Sequence, residues 1–337
     1  MIIIYKLLIF CLVIFFYLHI YFHLKTSDDL EIYEIDQPAK ERLEELCDLR
    51  QPLVFSFANE DLMNNCQRRA VLDTYGAFDI KIRNSKLENN RGEKYFNINK
   101  NENEMDELFV SLPFSSALKT IEEDTEHKYL LEQNTDFLEE TGLVKIYKYN
   151  DAFLRPPMVA SCAYDFLMGS LNTTTPLRYE LNYRTFFLVT EGQVKLKLTP
   201  PKSIRYLYPI KDYENFEFRS PVNPWQIQAA YKADFNKIKF LEITLKKGQM
   251  IFLPAYWWYS FEFSSAASLC AFKYRTYMNI CAILPQLGMR LLQSQNVKRN
   301  ILAPYTDLAA AEPAQGLSVP RLALVPRLAL VPDIINK

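Results

Sequence analysis

Gly248-Gln249-Met250-Ile251-Phe252-Leu253-Pro254-Ala255-Tyr256-Trp257-Trp258 is the stretch whose reading decides the fold. It follows the turn-forming Lys246-Lys247-Gly248 and runs into Tyr259-Ser260-Phe261-Glu262-Phe263, so Met250–Phe263 reads as strand-forming sequence rich in aromatic and branched side chains. Successive residues on a strand point to opposite faces. Tyr259, Phe261 and Phe263 therefore share one face, which reads as aromatic filling of a core, while Ser260 and Glu262 share the other. Trp257 and Trp258 read first as packing, because two indoles bury a large area without needing a ligand.

Neighbouring segments extend the pattern. Phe240–Leu245 enters the same turn as a strand, Ala271–Tyr277 reads as another, and Arg184–Val189 and Val194–Thr199 flank Glu191-Gly192 as a hairpin. The β-rich core thus runs over about 157–277. Before it the pattern is mixed: helices over Ala39–Leu49, Asp61–Ala70 and Met105–Glu123, a strand over Pro52–Phe57, and Tyr129-Leu130-Leu131 packing beneath the core. Asn84–Glu104, rich in Asn, Lys and Glu, reads as an exposed, mobile excursion. Ile280–Asn296 returns to helical spacing, with Pro285 breaking or kinking its start. The expected class is mostly β with flanking helices (α+β).

Both ends differ from the middle. Residues 1–24 are apolar all round apart from Lys6, His19 and His23, long enough to cross a bilayer and without a small-residue cleavage site, so they read as a transmembrane signal anchor. The basic residues on its two sides balance, so neither orientation is favoured. Residues 25–37 read as an acidic linker. Residues 301–337 carry Pro-Arg-Leu-Ala-Leu-Val twice and read as a flexible tail, two copies being too few for a solenoid.

Composition excludes several chemistries. A net charge of -1 gives no reason to expect nucleic-acid binding, and no GxGxxG or GxxxxGK[ST] string is present. Of three histidines, His19 and His23 belong to the apolar segment, leaving His127, in a charged stretch, as the only one elsewhere. A site that needs two imidazoles cannot be built from one. The six cysteines form no CxxC pair and read as reduced, mostly buried thiols. Asn172-Thr173-Thr174 is a glycosylation sequon, a match short enough to occur by chance.

Thr175-Pro176-Leu177-Arg178-Tyr179-Glu180, with Phe186-Phe187, Gly192 and Leu198-Thr199-Pro200-Pro201, resembles the first half of a JmjC or cupin-like double-stranded β-helix, and the Pro-Ala-Tyr-Trp-Trp stretch resembles the second. The pattern is similar to the asparaginyl-hydroxylase branch. Lys273-Tyr274-Arg275-Thr276-Tyr277-Met278-Asn279 and Leu292-Gln293-Ser294-Gln295-Asn296 are similar to cupin-like proteins of large DNA viruses and algae. The resemblance covers 38–300, the cupin-like/JmjC-like domain. It implies that active members bind Fe(II) through a His-x-Asp pair and a distant His. Here those positions hold Arg178, Glu180 and Tyr259. The lysine that holds 2-oxoglutarate would fall near Val194, and Lys195 is one step away on the opposite strand face.

Arg178 and Glu180, two apart, share a face and are expected to pair where the metal would sit. The other strand phase would turn Tyr179 inward and leave the pair on the surface. Asn182, Tyr256 and Trp258 are candidate pocket-lining residues. The expectation is a membrane-anchored, non-catalytic binding or structural module with no metal and no cofactor. The alternative is a divergent hydroxylase or other enzyme with an unconventional site. The implied partners are the membrane and a protein or small ligand.

Overall fold

The computed structural model describes residues 2–85, 109–213, 215–264 and 266–295. Most of the Asn-, Lys- and Glu-rich excursion and the whole 301–337 tail with its repeat lie outside the described residues.

Fifteen strands are described: β1 Tyr33–Ile35, β2 Leu53–Ser56, β3 Asp79–Asn84, β4 Phe109–Pro113, β5 Tyr129–Leu131, β6 Val159–Gly169, β7 Arg178–Tyr179, β8 Arg184–Glu191, β9 Gln193–Thr199, β10 Ile210–Asp212, β11 Glu217–Arg219, β12 Leu241–Lys246, β13 Gln249–Pro254, β14 Trp258–Phe263 and β15 Ala267–Thr276. Nine form one sheet in the order β1-β2-β13-β8-β15-β6-β5-β3-β4, and six form a second in the order β10-β11-β7-β14-β9-β12. From β6 onward the chain crosses between the sheets: β6, β8, β13 and β15 lie in the first, and β7, β9, β12 and β14 in the second. Two of the crossings turn on glycines with left-handed backbone, Gly192 at φ 73° and Gly248 at φ 83°, where a Cβ would be strained. The hairpin expected around Glu191-Gly192 is therefore not formed: β8 pairs with β13 and β15, and β9 with β12 and β14, because the turn moves the chain to the other sheet. This is the double-stranded β-helix expected from the sequence.

The space between the sheets is apolar. Phe187 and Val189 of β8, Ile251 and Leu253 of β13, Leu196 and Leu198 of β9, and Tyr259, Phe261 and Phe263 of β14 all belong to one buried cluster. Register builds it in layers: Phe187 pairs with both Ile251 and Ala271, Phe261 pairs with Leu196, and the Phe187 and Phe261 rings meet across the gap at 5.0 Å. Each such side chain contributes roughly 1.5–3 kcal/mol on burial, more than a typical surface ion pair at about 0–1. Alternate residues of the first sheet (Phe186, Leu188, Phe252, Phe272) pack outward among the flanking helices, so that sheet is covered on both faces.

Several elements differ from the sequence reading. Tyr33–Ile35, inside the supposed linker, is an edge strand running parallel to β2. The helix expected over Asp61–Ala70 is two, Glu60–Asn65 and Arg68–Tyr75. Of the helix expected over Met105–Glu123, the described residues keep Phe114 to Glu122 as helix, while Phe109–Pro113 is captured by β3 as a strand and 105–108 lie outside the described residues. Tyr129–Leu131 is itself a ladder strand. Helix Tyr277–Ala282 ends at Ile283, and a second helix starts at Leu284 with Pro285 in its first turn, where a missing N–H costs nothing.

The helix Ile2–Leu24 is long and apolar enough, over Ile3–Leu24, to cross a membrane, with a mean hydropathy of 2.4. Its C-terminal end packs against helix Tyr277–Ala282, and the His23 ring meets Tyr183 edge-on at 5.0 Å. The six cysteines are free thiols; Cys47, Cys66 and Cys270 are buried, Cys162 is half-buried, and Cys11 and Cys281 are exposed.

Candidate functional site

Strand phase places Arg178 inside. It stands opposite Tyr259 in the β7–β14 ladder, and both are buried between the sheets. Tyr179 therefore points outward, against Trp258 at 4.7 Å between rings and Phe218 at 5.3 Å. The surface-pair alternative is excluded.

The expected Arg178–Glu180 pair does not form. Arg178 instead lies 2.7 Å from Glu132, just beyond β5, and 3.4 Å from Glu217 at the start of β11. Arg83 of β3, fully buried, binds the same two carboxylates, reaching Glu217 at 3.0 and 3.3 Å. Arg83, Glu132, Arg178 and Glu217 thus close a ring of alternating charge. Burial alone would push these carboxyls up; the Arg83 and Arg178 guanidiniums outweigh it, lowering Glu132 and holding Glu217 at about 2. Such a ring works only when complete, since removing one member leaves a buried charge uncompensated.

Glu180 has other partners. It accepts hydrogen bonds from the Tyr259 hydroxyl at 2.8 Å and from Asn182, and the Lys273 ammonium lies 2.7 Å away. Burial raises the Glu180 carboxyl, but Lys273 outweighs it, with Arg178 and Tyr259 acting in the same sense, and the group stays below its ordinary value. The Tyr259 hydroxyl is driven far above its ordinary value, by burial first and then by Glu180, so it remains a donor. Asn182 in turn accepts from Arg275 Nε at 2.7 Å.

A polar cleft of about 430 Å³ opens beside these groups, where β15 ends and β6 begins. Arg178, Glu180 and Asn182 are on its wall, with Asp165, Phe216, Lys273, Arg275 and Arg290. Tyr256 and Trp258 are not: they line a separate apolar hollow with Tyr179 and Ile204. Trp257 is buried between the sheets and Trp258 in the cluster behind the second sheet, so the tandem indoles pack on opposite sides of their strand. Lys195 lies outside, 3.0 Å from Glu262, with Val194 facing in.

A divalent iron site needs lone pairs from imidazole or carboxylate without a fixed positive charge among them. Here a guanidinium, a protonated phenol and a carboxylate already holding a lysine converge, and the three histidines are elsewhere: two in the apolar helix and His127 on the surface. The residues present do not fit that ion. They do fit a closed, hydrogen-bonded wall.

Glu132, Glu217 and Arg83 escaped sequence reasoning, since nothing local marks an acid or base as a ring member. Lys273 and Arg275 were more legible: flanking Tyr274 at strand spacing, they put two cations on one face.

Residues 38–279 match the family model described as "Cupin-like domain", and the match spans well over half of the chain. The protein belongs to the cupin-like domain family, of JmjC type. It is similar to the HSPB1-associated protein 1 of Bos taurus, Rattus norvegicus and Homo sapiens, at 28% identity over 96 residues in each case. That segment is 28% of this chain and 20% of each relative, so the likeness spans about a fifth of the curated relatives' length.

Proposed function

We propose that this protein is a membrane-anchored cupin-like module that binds a ligand or partner at its barrel mouth and has no iron-dependent activity. The observation that carries the reading is Arg178, locked between Glu132 and Glu217, at the position to which the JmjC resemblance assigns a metal-binding histidine. A guanidinium fixed there repels a cation, and its two carboxylates are each shared with Arg83. Arg178, Glu180 and Tyr259 are on this reading the former metal positions; Arg178 and Glu180 now line the cleft, and Tyr259 is buried behind them, donating to Glu180. The apolar helix Ile2–Leu24 supports the anchor by length and composition. The relatives' name records association with HSPB1, which is in keeping with a binding role for the shared domain.

The cleft beside Glu180 favours a second reading, an enzyme with an unconventional site, since barrel mouths are natural small-molecule pockets. One measurement separates the two. Full-length protein in detergent is supplied with Fe(II) and 2-oxoglutarate, and bound iron and succinate release are followed. Neither stoichiometric iron nor turnover is expected; both together would refute the non-catalytic reading.

A further inference from the structure

Charge pairing inside the cleft leaves two cations over. Lys81 lies 2.6 Å from Asp136, Arg178 is held by Glu132 and Glu217, and Lys273 lies 2.7 Å from Glu180. The Asp165 carboxylate is turned to the backbone, accepting from Gln133, Asn134 and Phe166 N–H groups at 2.8–3.0 Å. Arg275, at the end of β15, and Arg290, on helix Leu284–Gln295, both line the cleft, and neither meets a carboxylate at ion-pair distance among the described residues.

The two share one aromatic neighbour. Their guanidinium carbons lie 5.1 and 5.3 Å from the centre of the Phe216 ring. Burial disfavours the charge on Arg275, and repulsion from Arg290 adds to this, while Glu180 and the Phe216 ring offset it in part. Arg290 itself is exposed; a bound anion would stabilise both cations. Arg275 is aimed as well as placed: Asn182 takes its Nε, which orients the guanidinium and leaves the two terminal nitrogens available. That edge matches a planar carboxylate or a phosphate, the groups for which arginine is the bidentate partner.

We propose that Arg275 and Arg290, steadied by Phe216 and Asn182, form the recognition end of a binding site for a small oxyanion ligand bearing a carboxylate or phosphate group. The inference rests on the reading of the mouth as a binding site and adds the class of ligand. The volume of about 430 Å³ lies in the usual range of small-molecule sites. Lys273 also lines the cleft but takes no part, since Glu180 already neutralises it.

The test uses the full-length chain in detergent micelles, titrated with inorganic phosphate and with malonate at constant ionic strength, with chloride as control, read by calorimetry and thermal shift. Saturable binding of phosphate or malonate is expected, and whichever binds tighter names the ligand group. Arg275→Gln and Arg290→Gln should each weaken it by about tenfold or more. Lys247→Gln, which removes an exposed charge from a distant turn, should leave it unchanged. Arg290 is on a surface helix, so its variant keeps the test valid if the Arg275 variant folds poorly. Absence of saturable binding, or unaltered affinity in Arg290→Gln, overturns the proposal. Either result leaves the iron measurement untouched, so the two readings fail separately.

Discussion

Arg178 and Tyr259 face one another across the β7–β14 ladder, the guanidinium carbon 5.5 Å from the centre of the phenol ring. The two residues send their polar groups in different directions: Arg178 into the Glu132 and Glu217 carboxylates, Tyr259 into Glu180. One cross-strand pair therefore ties the acid ring to the Glu180–Lys273 cluster. The inner end of the cleft is consequently built of paired charges, which makes its stability measurable residue by residue.

Arg178→Met leaves Glu132 and Glu217 sharing one fewer cation in a buried site. A loss of roughly 3–5 kcal/mol is expected in chemical denaturation. The double variant Arg178→Met/Glu132→Gln should lose less than the sum of the singles, because the second change removes the charge the first one stranded. Strict additivity would show that the ring is not energetically linked.

Acid should unfold the protein through this ring. Glu217 sits at about 2 against an ordinary 4.5, so its folded-state value is depressed, and the stability it contributes is present above 4.5 and lost as pH falls toward 2. Glu132 and Glu180 are lowered and act in the same sense; Asp165, raised by burial, acts in the opposite one. The melting temperature should fall across that window, and Glu217→Gln should flatten the fall while lowering stability at neutral pH.

Tyr259→Phe keeps the ring in the aromatic layer and deletes a donor to a carboxylate that retains Lys273 and Asn182. The cost should be roughly 1–2 kcal/mol, below that of Arg178→Met. A thermal-shift series of the two variants checks the order.

Gly169→Ala tests the packing between β6 and β14. An added Cβ would lie 2.5–2.9 Å from three ring carbons of Phe263, itself fully buried. Overpacking of this kind costs roughly 1–3 kcal/mol, and Gly169→Ala/Phe263→Leu should recover part of it. Equal stability of Gly169→Ala and the parent protein would count against this close packing.

Much of the β core was legible because its signals are local. Tyr259, Phe261 and Phe263 face inward as their spacing requires, and the chain does turn at Gly192 and Gly248, but Gly192 carries it from one sheet to the other instead of closing the expected hairpin. Phe109–Pro113 was not legible: its apolar residues suit a helix, and only the neighbouring β3 makes it a strand. Arg178 was placed on the correct face but given the wrong partner, because the choice between Glu180 and two carboxylates on other strands has no local signature.

By itself the sequence determined which faces of β8, β9, β13 and β14 are apolar and that no two imidazoles meet in the domain: the first follows from the two-residue period of a strand, and the second is a count that folding cannot change. Only the tertiary structure decided that Arg83, Glu132, Arg178 and Glu217 close a ring, and that Arg275 and Arg290 meet at Phe216. Arg83 and Glu217 are 134 residues apart, and such a contact is set by strand register and sheet pairing rather than by any pattern along the chain.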